Sequence, residues 1–286
     1  MKRVFALLML LCGLLSAARA QVYVDQAPPA DWAQRDLMRL TVFRTGESDC
    51  MLLENGGECM MIDGGAMKWR DKLYQALQNR GISHLKYFYN THPHDDHIDG
   101  LCYLIMDYGV TADAFLSVFP EDYDHKLHQR ALRQAKKAGI PFRQVFNGDT
   151  LTLGGVTLRV YRSSRGVTEN GYSALTRLEF GDASALLCAD ITGDVQKQFQ
   201  ELLPADQLKA DVIKAPHHGL NPIVSEFLDA VDPGFAVITN YEGDRAEPTA
   251  NQLKNRKIPY AHSGEGTVVL ETDGVDWYIT QTLKQF

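Results

Sequence analysis

Four candidate metal ligands fall within six residues of this chain, His92, His94, Asp96 and His97, in the order H-x-H-x-D-H. With only 9 histidines in 286 residues, three of them in six positions beside two aspartates is not a chance clustering, and it marks a metal site. Neutral imidazole and carboxylate suit Zn²⁺ and, with more oxygen, Mn²⁺ or Fe²⁺. The preceding run Leu85-Lys86-Tyr87-Phe88-Tyr89-Asn90 reads as a strand, so the ligands sit on a loop anchored at one end and open at the other. The fold must therefore carry a strand end to a place where further ligands meet it.

A centre of two divalent ions, Zn or Mn, needs more than these four ligands, and two later segments offer them at predicted strand ends. Residues 185–190 run apolar and then present Asp190; residues 212–219 do the same with His217 and His218. A carboxylate has two oxygens and bridges metals about 3.5–4 Å apart, which makes Asp190 the natural bridge.

Residues 1–20 read as an export signal: basic Met1-Lys2-Arg3, an apolar run, and Ala18-Arg19-Ala20 as an A-x-A cleavage site. The run is short for a membrane span, an uncleaved anchor being the alternative, and Leu11 before Cys12 is too bulky for lipoprotein processing. The mature chain, residues 21–286, is expected as one domain, secreted or periplasmic, with no membrane span after cleavage and no obligate protein partner. Its 26 basic and 36 acidic side chains leave a net charge near −10 once Lys2, Arg3 and Arg19 are gone. Such a surface repels polyanions, so avid non-specific nucleic-acid binding is not expected. Cys50, Cys59, Cys102 and Cys188 form no disulfide framework or C-x-x-C pair. A Cys50–Cys59 bridge across the Asn55-Gly56-Gly57 turn stays open, and buried free thiols are expected otherwise.

Hydrophobic periodicity predicts a β-meander over 37–45, 50–54 and 58–62, a helix over 69–80, the 85–90 strand, and a helix over 101–108 behind the metal loop. Beyond it lie a strand over 114–119, a helix over 122–137, and hairpins over 150–161 and 174–188. The rest alternates: helix 194–203, strand 212–214, helix 223–231, strand 236–239, helix 249–256, strands 267–271 and 277–282. Two sets of strands with helices outside predict an α+β layered sandwich.

The order Asp63-Gly64-Gly65, His92-x-His94-x-Asp96-His97, Asp190, His217 resembles the metallo-β-lactamase superfamily. Within it, residues 42–50, 61–65, 170–173 and 214–219 resemble the metal-hydrolase domain of ComEC-type competence (DNA-uptake) proteins. The resemblance covers residues 37–278 and implies a four-layer αββα sandwich with metals at the sheet edges. It implies that His92 and His94 hold a first metal, that Asp96, His97 and His217 hold a second, and that Asp190 bridges. His218 is then placed in the second shell or near substrate, with Asp63 orienting a ligand imidazole. Many members carry another histidine between the loop and the bridge. Here only His125 and His128 fall there, on a predicted surface helix, and Asn170 and Ser173 stand where the branch has an Asn/Ser pair. Asp99, where Gly is frequent, is a smaller departure.

The expected chemistry is hydrolysis by a metal-bound hydroxide, with Asp96 and His218 as catalytic candidates and Tyr172 another proton source. The substrate implied by the branch is a phosphodiester, small or nucleic-acid-related. A β-lactamase, lactonase or other acyl hydrolase is the competing enzyme class, and a metal-stabilised module of an uptake system the non-enzymatic one.

Overall fold

In the central strands, successive apolar side chains feed two different cores, as a sheet covered on both faces requires. Met51 and Leu53 of strand Cys50–Asn55 enter one apolar cluster, Cys50 and Leu52 another. Ala185 and Leu187 of Ala183–Leu187 join the first cluster, while Leu186 joins a third. A computed structural model describes residues 20–286. The expected leader, residues 1–20, lies outside the described residues but for Ala20.

Among the described residues the strands form one sheet of nine and one of seven. The first runs, edge to edge, Val22–Val24, Trp277–Leu283, Gly266–Thr272, Met38–Val42, Cys50–Asn55, Glu58–Gly64, His84–Asn90, Thr111–Ser117, Phe142–Gln144. The second runs Tyr260–His262, Phe235–Ile238, Val212–Lys214, Ala183–Leu187, Leu175–Phe180, Val156–Tyr161, Thr150–Leu153. Leu40, Ile62, Leu158, Leu178 and Val237 fill the space between the sheets. Helices Arg70–Gln78, Asp95–Tyr108 and Lys126–Lys137 cover the outer face of the first sheet through Leu77, Leu104 and Leu132. Helices Gly193–Leu202, Ser225–Val231 and Glu247–Asn255 cover the second through Phe199, Phe227 and Leu253. This is the expected four-layer αββα sandwich. No helix among the described residues is long and apolar enough to cross a membrane.

Each sheet contains a parallel run: Glu58–Gly64, His84–Asn90 and Thr111–Ser117 in one, Ala183–Leu187, Val212–Lys214 and Phe235–Ile238 in the other. Parallel strands end together, so the segments that follow them gather at one edge.

The largest local difference from expectation is the helix behind the metal loop. It begins at Asp95, not at residue 101, and is capped at its far end by left-handed Gly109. Residues 95–99 carry little apolar periodicity, yet Asp95 and Asp96 in the first turn complement the helix dipole. Gly64 and Gly100 allow the approach, since a Cβ on either would collide with the backbone of the other. Asp96 and His97 thereby ride on a rigid helix. Three-residue strands 22–24, 142–144 and 260–262 and the single turn Ala205–Leu208 were not anticipated, being too short to show a period.

One other expectation changes, and one open alternative is decided. His128 is buried, not solvated, with Nε2 2.9 Å from the Pro120 carbonyl oxygen. Cys50 and Cys59 are free thiols: Cys50 pairs across the hairpin with Gly64 and Cys59 with Glu54, well apart along the ladder. Burial, then Glu54 and Glu58, push the half-buried Cys59 thiol up to about 11, and Cys50, Cys102 and Cys188 are buried. Ellman's reagent is accordingly expected to find less than one thiol per native chain within minutes and four after unfolding the 21–286 protein, and dithiothreitol should leave Tm unchanged. Fewer than four thiols in the unfolded, unreduced protein would mean a bridge exists.

Candidate metal centre

The ligands expected from the sequence each follow a strand of one of the two parallel runs. His92 and His94 follow His84–Asn90, Asp190 follows Ala183–Leu187, and His217 and His218 follow Val212–Lys214. Asp63, Ala189, His217 and His218 all hold left-handed φ, at 51°, 41°, 49° and 52°. Such a conformation costs a non-glycine residue of order 1–3 kcal/mol and persists only where its surroundings enforce it. Here the enforcing contacts are the hydrogen bonds of the site itself.

The ligands form two groups around Asp190, one of His92, His94 and Asp190, the other of Asp49, His97, Asp190 and His218. In the first, His92 Nε2 lies 3.2 Å from His94 Nδ1 and 3.6 Å from Asp190 Oδ2. In the second, His97 Nε2 lies 3.3 Å from both His218 Nε2 and Asp190 Oδ1. Asp96 adds its Oδ2, 3.0 Å from His218 Nε2 and 3.8 Å from His97 Nε2. Asp190, buried, is the residue common to both groups.

The hydrogen bonds around these rings fix their tautomers. Asp63 only accepts: Thr91 N and Asn90 Nδ2 each donate to its Oδ1 at 2.9 Å, and Thr91 Oγ1 donates to Oδ2 at 2.6 Å. His97 Nδ1, 2.8 Å from the same Oδ2, must therefore carry the proton. Thr91 has spent its proton on Asp63, so at 3.2 Å its oxygen accepts from His92 Nδ1. Thr239 Oγ1 likewise donates to Asp49 Oδ1 at 2.6 Å, leaving His218 Nδ1 to donate to Asp49 or Thr239 at 3.2 or 3.1 Å. All three rings then direct an Nε2 lone pair inward. Two lone pairs facing each other at 3.3 Å repel unless a cation or proton lies between. That spacing is also about what two nitrogens show when each is roughly 2.0–2.1 Å from one tetrahedral ion. Asp190 Oδ1, buried with no hydrogen-bond partner, completes the case that the residues fit metal ions.

The electrostatics agree. Burial alone would lower the His97 imidazolium, but Asp190 and Asp63 outweigh it and raise it to about 10. Burial, then Asp190, Asp49 and Asp96, act on His218 in the same opposed senses, and it too stands well above its ordinary value. Burial would raise Asp96, yet His218 and His97 hold it at about 2. A cluster that draws protons onto histidines at neutral pH is one in which a divalent cation displaces them.

The paired histidines exchange the places expected of them. The sequence reading grouped His217 with Asp96 and His97 and put His218 outside; the structure brings buried His218 among those residues. His217 is 30% exposed, its Nε2 3.2 Å from Asn170 Nδ2 and 3.8 Å from Asp190 Oδ2. The Pro216–Gly219 turn, left-handed at both histidines, rolls the second ring inward and the first outward. Asn170 and Ser173 lie beside the site: Ser173 Oγ donates to the Asn170 carbonyl at 2.8 Å and accepts from Asp190 N at 3.2 Å. His125 and His128 join neither group. Asp99 is paired with Arg130 on the neighbouring helix.

Two residues were missed. Lys214, fully buried, reaches Asp49 Oδ2 at 2.6 Å, donates to the Ala189 carbonyl at 2.9 Å and lies 3.9 Å from Asp190 Oδ1. Burial would lower its pKa, but Asp49 and Asp190 raise it, and the ammonium stays charged. Asp49 in turn orients His218, and its loop is tied to the ligand helix by Ser48 Oγ donating to the Asp96 carbonyl at 2.8 Å. The available signal was a lysine inside the apolar run Val212-Ile213-Lys214-Ala215, since lysine is almost never fully buried unless paired.

The family model for the metallo-beta-lactamase superfamily matches residues 44–231. Among solved structures, the fold is similar to that of the metallo-beta-lactamase fold protein YhfI from Bacillus subtilis (TM-score 0.53, 15% identity, 83% of this chain and 100% of that one). It is also similar to unliganded yeast PDE1 (TM-score 0.52, 12% identity, 80% and 98%). A mutant of the CmlA beta-hydroxylase gives a TM-score of 0.51 at 14% identity, over 86% of this chain and 55% of that one. At these identities the likeness concerns the fold. No curated protein matches the chain by sequence.

Proposed function

Because this chain belongs to the metallo-beta-lactamase superfamily, we propose that it is a two-metal hydrolase of phosphodiesters, using Zn or Mn. The observation that carries the metal-dependent reading is the pair of inward nitrogens, His97 Nε2 and His218 Nε2, facing each other at 3.3 Å. His92, His94 and Asp190 would hold one ion, and Asp96, His97, His218 and Asp190 the other. A divalent metal bound there supplies Lewis acidity, polarising the scissile centre and lowering the pKa of water.

The protein's own groups do the rest. Asp63 and Asp49 fix the His97 and His218 rings by accepting from Nδ1. Asp96, at 26% exposed the ligand carboxylate open to solvent, can accept a hydrogen bond from the attacking water and orient it. His217 lines a pocket of about 300 Å³ with Gln196 and Asn221, where its ring, its pKa lowered by burial, can donate a hydrogen bond to the leaving oxygen. The likeness of Lys214-Ala215-Pro216-His217-His218-Gly219 to the ComEC-type branch favours a phosphodiester over an acyl substrate. Residues 1–20 support export to the periplasm or medium.

The test is to purify residues 21–286, count metals by elemental analysis, and compare bis(p-nitrophenyl) phosphate with a chromogenic β-lactam. About two metals with diester turnover is expected. Turnover of the lactam alone would transfer the site to acyl chemistry, and no metal uptake would refute the reading altogether. The exchanged histidines make a sharper prediction. His218→Ala should fall from two metals to about one, whereas His217→Ala should keep both and lose roughly 10²-fold in kcat. The opposite pattern would restore the assignment expected from sequence.

A further inference from the structure

Arg162 follows strand Val156–Tyr161, and its guanidinium lies between two aromatic rings, 5.0 Å from the centroids of both Phe119 and Tyr172. Its Nε donates to the Tyr172 carbonyl at 3.3 Å. No carboxylate among the described residues pairs with it, and burial lowers its pKa, with only the phenols of Tyr172 and Tyr123 acting against the change. A half-buried cation without a counter-charge carries a desolvation cost that an arriving anion would repay. Arg162 also borders a cavity of about 440 Å³ with Asn147 and Ser164 as polar walls. Phe146 and Leu202, 58% and 60% exposed, supply bare apolar surface in that cavity.

This cavity is joined to the metal centre through one short segment. Tyr172, which stacks on Arg162, stands between Asn170, in contact with His217, and Ser173, which holds the Asp190 backbone. A ligand anchored at Arg162 therefore sits beside the loop that shapes the reaction site.

We propose that Arg162 is a specificity-determining anion anchor, binding a non-scissile phosphate of the substrate while Phe146 and Leu202 receive the attached nucleobase. The substrate class is then an oligonucleotide end bearing a 5′-phosphate, cleaved at the next diester. The planar guanidinium grips a phosphate through two parallel N–H groups, and stacking on two rings holds that plane in place. This rests on the phosphodiester reading above.

The test compares the 5′-phosphorylated dinucleotide pTpT with unphosphorylated TpT, using the metal-loaded wild type, Arg162→Met and Arg162→Lys. Wild type should prefer pTpT. Arg162→Met should raise KM for pTpT at least tenfold with kcat within about twofold, and leave TpT and bis(p-nitrophenyl) phosphate unchanged. Arg162→Lys, which keeps the charge but not the fork, should recover only part of the preference and serves if the Met variant does not fold. Calorimetric titration of thymidine 5′-monophosphate against thymidine adds a readout independent of turnover, with weaker nucleotide binding expected in Arg162→Met. Turnover of all three diesters with no change in either variant would overturn the anchor and leave the phosphodiesterase reading intact. No diester turnover, with nucleotide binding still dependent on Arg162, would overturn the phosphodiesterase reading and keep the anion site.

Discussion

Asp190→Asn is expected to strip the protein of both metals and lower kcat/KM for a phosphodiester by roughly 10⁴-fold, about 5–6 kcal/mol of transition-state stabilisation. The substitution keeps the size and shape of the side chain but removes its charge and replaces one oxygen by an amide. Both oxygens are in use: Oδ1 faces His97 at 3.3 Å, and Oδ2 faces His218 at 3.4 Å and His92 at 3.6 Å. No other residue belongs to both ligand groups, so no neighbour can substitute for it. Elemental analysis beside a bis(p-nitrophenyl) phosphate assay decides the matter. Two metals retained, with activity within tenfold of wild type, would mean that Asp190 does not bridge.

Lys214→Met should be the most destabilising of these changes, by about 3–5 kcal/mol, the usual effect of leaving one partner of a buried ion pair uncompensated. For a chain of this size that is a fall in Tm of roughly 10 °C. The variant strands Asp49, which is itself fully buried. Lys214→Met with Asp49→Asn should recover most of the loss, because the pair is then neutral and Asn can still accept from Thr239. Metal affinity in the double variant should stay about 10–100-fold weaker, since His218 has lost its carboxylate partner. The pH dependence follows from Asp49. Burial would raise its pKa, but Lys214 and His218 hold it well below the ordinary range. A depressed carboxyl contributes stability above its unfolded value near 4 and loses it as pH falls through the folded one. The deficit of Lys214→Met should therefore shrink in acid, as Asp49 protonates. Urea unfolding at pH 7 and pH 4 measures both quantities; a variant melting within about 2 °C of wild type at pH 7 would refute the buried pair.

Much of the fold was legible because strands such as Val156–Tyr161 and Val212–Lys214 are bounded by turn residues and filled with β-branched and apolar side chains. The start of helix Asp95–Tyr108 was not, because its first turn is built of ligands and acids and shows no apolar stripe. The H-x-H-x-D-H cluster was readable since its members are neighbours in the chain, and Asp190 and the paired histidines because each ends an apolar strand. Asp49 escaped notice because it lies near no other ligand in sequence, and Lys214, three residues before His217, because it sits inside an apolar strand that reads as core.

Residue order alone determined that a metal-ligating loop follows a strand, that further ligands sit at strand ends, and that two strand sets with flanking helices make a layered sandwich. Those properties depend on local periodicity and spacing. Tertiary structure decided which of two adjacent histidines turns inward, which carboxylates set the ring tautomers, and that a buried lysine ties the Asp49 loop to the Asp190 loop. These outcomes depend on backbone strain at Ala189, His217 and His218 and on contacts between segments far apart in the chain, which no one-dimensional pattern encodes.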